Sequence, residues 1–456
     1  MAIAIRYDAD QRLCLSELNC TCQLDHQTPT QDVYVGTGLI DQIPDIIRRR
    51  GLGSRALLIC DPTTYEVAGS QTLAALRSAN FQIDLCRLER SGSLEPDERA
   101  VGEVALSIRP ETEFLISVGS GSITDITRSV SYLTGRPQVC VGTAPSMDGY
   151  TSAICPLLLR GAKIHRKGDC PEIIVCDLDI LRTAPLEMFQ SGVGDVLGKY
   201  IAKADWVIGG IINDEIYCPA SGSIALDAAN KLLENPEPIR ERAREGTRIL
   251  IEALLLAGLT VMIIGHTRAV ASVEHNIAHY WEMMQLARGV KPPAHGASVG
   301  VASLLIWPMF ERFRTQNLSM LGDLAYIEAL RANRLTRPER EAWMLRAFGE
   351  SIGTTFMAEN PEDFLTWEEQ LRRVERAASN QLAIREELAR LPSIDRIRNV
   401  MLKLGAPTTA RELGVDSDLL KLSMRCGKDY RSRYTLLKLL DETGLLDDYL
   451  RDLPIN

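Results

Sequence analysis

EFLISVGSGSITDITRSVSYLTGRPQVCVGT, residues 113–143, holds a run of distinct elements in a row. EFLISVG (113–119) is a short apolar run, and Gly-Ser-Gly-Ser (119–122) is a tight turn. ITDITRSVSYLTG then runs at helical spacing and leads to a second apolar run, PQVCVGT (137–143). Strand, glycine turn, helix, strand is the repeating unit of a parallel sheet covered by helices. Outward from it, RALLICD (55–61), FQIDLCRL (81–88) and EIIVCDLD (172–179) read as further strands. Amphipathic stretches at 65–79 and 97–108 read as the helices between them. Beyond about residue 186 the strand signals stop. A 3.6-residue periodicity takes over at 221–233, 240–264, 267–288, 296–314 and 321–334. The Arg- and Glu-rich remainder is helical too, with charges mixed in sign as on solvated faces. The expected fold class is an α/β domain with a parallel sheet at 1–185, followed by an all-α domain at 186–456.

The chain has 456 residues, enough for two or three domains with real cores. Acids outnumber bases 60 to 51, for a net charge of −9, which argues against a nucleic-acid or anionic-membrane surface. The start lacks the long apolar core of a secretory signal. The most apolar run, 249–264, contains Glu252 and is shorter than the roughly 20 residues that span a bilayer, so a buried helix is expected. The cysteines number 11, and Cys60, Cys140, Cys155 and Cys176 stand in strand-like contexts. That pattern suits reduced core thiols in a cytoplasmic protein.

Histidine is scarce and clustered: of six, His266, His275, His279 and His295 fall within 30 residues. In EHNIAHYWE (274–282), His275 and His279 share a helix face, with Glu282 nearby. His295 follows a Pro-Pro turn in KPPAHGASVG (291–300). Asp195, in GVGDVLGK (192–199), opens a helix where the two halves meet and equally suits the helix dipole. An Asp/His/His set fits Zn²⁺ or another borderline divalent metal with an open catalytic position. His266 reads as structural. TAPSMDGYTS (143–152) brings hydroxyls and Asp148 to the C-terminal end of a parallel strand, where open α/β sheets bind ligands. Such a loop, like the glycine turn before it, also fits turn chemistry alone. Cys20, Cys22 and His26 form C-x-C-x3-H. That spacing matches no common closed zinc site, with only Cys14 near as a fourth ligand, so a structural role or none is expected.

GSGSITDITR, TAPSMDGYTS, GVGDVLGKYIAKADW, EHNIAHYWEM and HGASVGV, in that order, resemble the sn-glycerol-1-phosphate dehydrogenase family. This family belongs with glycerol dehydrogenase, iron-type alcohol dehydrogenases and dehydroquinate synthase. The resemblance implies a dinucleotide-binding domain at 1–185 and a metal- and substrate-binding domain at 186–456. It implies Asp195, His275 and His295 as ligands of one divalent metal, Zn²⁺ or Ni²⁺. Asp148 and His279 would be catalytic, facing substrate. Gly119, Ser120, Gly121, Ser122, Ile123, Thr143, Ala144, Pro145, Ser146 and Ser152 would line the nicotinamide dinucleotide. Asp61 would lie near the adenosine ribose, where an acid disfavours a 2′-phosphate, so NAD(H) is expected over NADP(H).

The implied reaction is reversible reduction of dihydroxyacetone phosphate, a small phosphorylated triose, to sn-glycerol 1-phosphate. Lys163, Arg166, Lys167 and Lys199 are candidates for its phosphate. A glycerol or other polyol dehydrogenase and a dehydroquinate synthase-like cyclase or lyase are the alternatives. Asp at position 195 counts against the last, whose members carry Glu there. A homo-oligomer, first of all a dimer, is expected from the resemblance, with no nucleic acid and no membrane span.

Overall fold

The computed structural model describes residues 5–15, 20–26, 31–451 and 453. Strands β1 (Ile5–Tyr7) and β2 (Leu13–Leu15) form an antiparallel hairpin. The central sheet follows: β3 (Asp32–Gly36), β4 (Arg55–Cys60), β5 (Gln82–Arg87), β6 (Phe114–Gly119) and β7 (Gln138–Gly142). A second hairpin, β8 (Ile154–Leu159) and β9 (Ala162–Lys167), precedes the last sheet strand, β10 (Ile173–Asp177). The six sheet strands are parallel and ordered β3-β10-β7-β6-β4-β5. From β4 the chain steps outward to β5, then crosses back to β6 on the other side. The switch point, where open sheets bind ligands, is therefore between β4 and β6. Asp61 and Gly119 stand at the C-terminal ends of those two strands.

Both faces of the sheet are covered, which is why its strands read as unbroken apolar runs. Alternate residues go to opposite sides. Leu58, Ile116, Val141 and Val175 pack with helices 43–50 and 70–78. Leu57, Ile59 and Leu115 pack with helix 98–107 and with α1 (Gly121–Thr134). α1 opens directly after the glycine turn and ends at Gly135, whose φ of +64° suits only glycine well.

From Leu178 on, the described residues contain no strand. The helices that build the site are α2 (Leu186–Leu197), α3 (Lys199–Asn213), α4 (Pro219–Glu234), α5 (Arg244–Ile264), α6 (Val273–Ala287) and α7 (His295–Phe313). α5 has the length and apolarity of a membrane span, yet it is mostly buried within the protein. Its Ile251 and Leu255 close the sheet face over Val33, Cys140 and Ile174. Each such fully buried side chain contributes about 1.5–3 kcal/mol. Glu252 within α5 is satisfied by the Tyr7 hydroxyl at 2.5 Å.

The structure differs from the sequence reading at several elements: β3 is a sheet strand the reading lacks, and Asp195, expected to open a helix, lies in the last turn of α2. The β8–β9 hairpin is antiparallel and only half-buried, so its mixed LLLRGAKIHRK pattern gives no parallel-strand signal. The stretch 240–264 breaks at 241–243, before α5. The stretch 267–288 opens with a single tight turn at Thr267–Ala269 before α6 begins at Val273.

α2 and α7 lie almost backbone on backbone. A Cβ on Gly194 would stand 2.1 Å from the Gly296 carbonyl oxygen, and one on Gly296 would stand 1.9 Å from that of Ser191. Gly194→Ala therefore forces the two helices apart. It is expected to lower unfolding stability by about 1–3 kcal/mol, the usual cost of overpacking a core. It is also expected to reduce bound metal, because Asp195 and His295 adjoin the two glycines. Denaturant unfolding with metal analysis checks both, and an unchanged midpoint contradicts the close contact.

Candidate active site

Asp195, His275 and His295 come together although they lie far apart in sequence. Their donor atoms all lie within 4.8 Å of one another. Asp195 is completely buried on the last turn of α2. His275 sits in the first turn of α6, with Nε2 3.3 Å from Asp195 Oδ1. His295 is the first residue of α7, and the Gly296 N–H after it donates to Ser191 Oγ at 3.1 Å. Each metal-side histidine has a carboxylate behind it: Glu274 Oε1 is 2.7 Å from His275 Nδ1, and Glu282 Oε1 is 2.7 Å from His295 Nδ1. Such partners fix the ring and leave Nε2 for a metal. One oxygen and two nitrogen donors, each oriented in this way, fit a borderline divalent cation with open positions.

The start of α6 is clamped from outside. Asp205 on α3 accepts from the Ser272 hydroxyl at 2.6 Å and from the Leu436 N–H at 2.8 Å. Burial raises the Asp205 carboxyl to about 7, against the pull of Arg268.

Lys199, fully buried, places its ammonium 2.6 Å from Asp148 Oδ2 and 2.8 Å from Asp195 Oδ1. The Asp148 N–H donates to Asp195 Oδ2 at 3.0 Å. The loop after β7 is thus tied to the metal-side carboxylate. Burial alone would push Asp195 up; Lys199, then His275, outweighs it and holds the carboxyl well below the usual range. Burial would lower Lys199, and the two aspartates instead hold it charged.

His279 lies one turn after His275, stacked on His295 with centroids 4.8 Å apart. Its Nδ1 is 3.2 Å from Glu282 Oε2, and Lys163 Nζ is 2.5 Å from that same oxygen. Burial, and then Lys163, keeps His279 far below its usual range, so it is neutral. Burial would raise Glu282, but Lys163 and the two imidazoles hold it ionised. His279, Glu282 and His295 also form a possible donor set, sharing His295. The Lys163 ammonium on Glu282 disfavours a cation there, so the Asp195 set is the better metal site.

Lys163, His275, His279, Glu282 and His295 line a cavity of about 550 Å³, together with Gly121, Ser122, Asp148 and Ser152, while Asp195 and Lys199 lie buried outside its lining. Asp125, one turn into α1, lines it too; burial raises its carboxyl to about 6 despite Arg128 at 2.6 Å. The free N–H groups at the start of α1 suit a pyrophosphate. Gly119, Ser120, Ile123, Thr143, Ala144, Pro145 and Ser146, expected to line the dinucleotide, are not among the residues lining this cavity. A Cβ on Gly119 would meet Ile123 at 2.6 Å, and the Ser120 and Ser146 hydroxyls are 2.5 Å apart. Asp61 caps the helical turn after β4, its Oδ1 accepting from the Thr64 N–H at 2.7 Å. It lies outside the cavity wall.

Of the candidate phosphate cations, only Lys163 reaches the cavity. Arg166 pairs with Glu359, Lys167 lies over Tyr132, and Lys199 is enclosed by its two aspartates. His266 packs against Trp206, in keeping with a structural role. Sequence reasoning missed His165 and Arg431. His165 lines the cavity from β9, and the Arg431 guanidinium approaches its Nδ1 at 2.6 Å. Arg433 donates to Thr267 Oγ1 at 2.6 Å. Burial and the like charges of Arg431 and Arg268 press Arg433 far below its usual range. Period-2 spacing of Lys163 and His165 in AKIHRK was the available signal; Arg431 and Arg433, in the distant tail, had none. A larger cleft of about 820 Å³ among the C-terminal helices is lined by charges already paired, such as Arg373–Glu442 and Lys438–Asp363.

Residues 34–185 match the iron-containing alcohol dehydrogenase family. The chain is 35% identical over 295 residues to the glycerol-1-phosphate dehydrogenase [NAD(P)+] of Halalkalibacterium halodurans, covering 64% of this chain and 74% of that one. It is 31% identical over 324 residues to the enzyme of that name from Bacillus subtilis, covering 70% and 82%. Glycerol dehydrogenase from Schizosaccharomyces pombe has a similar fold, with a TM-score of 0.60 over 94% of this chain and 92% of that one, at 15% identity. Through the relatives of 35% and 31% identity, the chain belongs to the glycerol-1-phosphate dehydrogenase family.

Proposed function

We propose that this protein reversibly reduces dihydroxyacetone phosphate to sn-glycerol 1-phosphate, using NAD(H) and one divalent cation, Zn²⁺ or Ni²⁺. The observation that carries this reading is the Asp195–His275–His295 triangle with a carboxylate behind each imidazole. Relatives 35% and 31% identical to the chain are named glycerol-1-phosphate dehydrogenase [NAD(P)+]. Bound between those residues, the cation would supply Lewis-acid polarisation of the substrate carbonyl, and the nicotinamide would supply the hydride.

The chain's own residues do the rest. Residues 1–185 would hold the dinucleotide and residues 186–456 the metal and substrate. The start of α1 would take the pyrophosphate, with Gly119 to Ile123, Thr143 to Ser146 and Ser152 shaping the turn and loop around it. Asp61, at the switch point, favours NAD(H) over NADP(H). Asp148 would orient a substrate hydroxyl while Lys199 holds its carboxylate in place. His279 is neutral, with Nδ1 turned to Glu282, so Nε2 is the nitrogen that takes the substrate hydroxyl proton in the oxidation direction. Lys163, Arg431 and Arg433, gathered around His165 and Thr267, favour a phosphorylated substrate, because their charges crowd one another. The free thiols, buried in Cys60, Cys140 and Cys176, suit a reducing, cytoplasmic setting. A homodimer is the proposed assembly.

Two measurements test the reading. After loading with Zn²⁺ or Ni²⁺, NADH oxidation is followed with dihydroxyacetone phosphate and with dihydroxyacetone, and the product's chirality is determined. Preferred turnover of the phosphate ester, giving the sn-1 product, is expected; preference for the free triose points to a polyol dehydrogenase. Arg431→Ala is expected to lower kcat/KM about 10–100-fold for the ester alone, the effect of losing a charge-assisted bond of about 1.5–3 kcal/mol. Separately, His275→Ala and His295→Ala are each expected to lose both metal and turnover. Retention of both in either variant removes that histidine from the ligand set.

A further inference from the structure

We propose that Cys20, Cys22, His26 and Cys218 form a second, closed metal site of the zinc class that pins the N-terminal arm to the helical half. The ligand atoms of all four lie within 4.8 Å of one another. Cys20 Sγ is 3.6 Å from Cys218 Sγ, while His26 Nε2 is 3.2 Å from Cys22 Sγ and 3.3 Å from Cys218 Sγ. A tetrahedral zinc with bonds of about 2.3 Å to sulfur and 2.0–2.1 Å to nitrogen sets two sulfurs about 3.8 Å apart, and sulfur and nitrogen about 3.6 Å apart. The observed separations fall within a few tenths of an ångström of that tetrahedron. They exceed the roughly 2.05 Å of a disulfide, and all four residues could donate at once.

Backbone N–H groups favour thiolates at Cys20 and Cys218. The Cys22 N–H donates to Cys20 Sγ at 3.5 Å, and the Ser221 N–H donates to Cys218 Sγ at 3.4 Å. Cys218 is also the N-cap of α4, where the helix dipole favours negative charge. Residues 20–26 form no helix or strand. Cys20, Cys22 and Leu24 rest on the apolar cluster of Trp206, Ile224 and Ala257. The arm thus has few ordinary means of holding its place, and a ligand set shared with Cys218 supplies one. The sequence reading expects a structural role or none for Cys20, Cys22 and His26; Cys14, the nearby cysteine, lies elsewhere, its thiol donating to the Arg12 carbonyl at 3.7 Å. The ligand that completes the set could not be read from local spacing, because it lies nearly 200 residues away.

Three thiolates and one imidazole fill every tetrahedral position, which marks a structural site without room for substrate. Soft sulfur donors also separate this site from the oxygen–nitrogen set at Asp195, so the two sites differ in metal preference.

Cobalt substitution tells them apart, because only the cysteine set can give an intense thiolate-to-cobalt charge-transfer band in the near ultraviolet. The full chain is exchanged with Co²⁺ and its metal content measured. Wild type and Asp195→Asn are both expected to show the band. Cys22→Ser and Cys218→Ser are expected to lose it, together with one metal equivalent per chain. Absence of the band from folded, Co²⁺-loaded wild type overturns the proposal, even if the cysteine variants fail to fold. So does a Cys20–Cys218 disulfide found by mass analysis, or a band that survives both cysteine substitutions.

Discussion

α2 and α7 touch through their backbones, and much of the site depends on that contact. Gly194 lies against the Gly296 carbonyl and Gly296 against the Ser191 carbonyl, with no side chain between them. Interiors are packed too densely for such a contact to be spread apart without cost. Asp195 and His295 are the chain neighbours of these two glycines. Their separation is therefore set by helix packing, and a third donor needs only to be brought alongside. α6 does this with His275, its start held by Asp205 from α3. Ser191 extends the same seam to the sheet side, donating its hydroxyl to the Ser146 carbonyl at 2.9 Å.

What the sequence made legible follows from what is local. The parallel sheet could be read because strands buried on both faces are continuous apolar runs, as in EFLISVG and PQVCVG. His275 and His279 could be paired because i and i+4 share a helix face. Asp195 could be offered as an available carboxylate, but nothing near position 195 points to residues 275 or 295, so its place beside them rested on the family resemblance. The carboxylates behind the imidazoles were less visible. Glu282 lies on the His279 face, but its contact with His295 depends on how α6 and α7 cross. Arg431 and Cys218 lay beyond reach for the same reason, each meeting its partners only after the chain has folded over long distances.

The cavity is built from groups that restrain one another. Lys199 is held by Asp148 and Asp195, and Glu282 by Lys163 and two imidazoles. Each buried charge is acceptable because a partner of opposite sign is already in hydrogen-bonding contact. Preorganisation of this kind lets donors meet developing charge without first rearranging.

One feature of that arrangement bears on electroneutrality. The carboxylates enclosing the histidines (Asp148, Asp195, Glu274 and Glu282) outnumber the ammonium groups of Lys163 and Lys199 by two. His279 adds no charge. These four carboxylates and two ammonium groups leave the immediate surround of His275 and His295 negative, whereas the guanidiniums of Arg431 and Arg433 lie on the far side, beyond His165. Burial disfavours the charged form of the His275 imidazole, yet Asp195 and Glu274 draw it above its usual range. A proton on His275 and a divalent cation beside it would answer the same carboxylates, so binding of the cation there would release the proton.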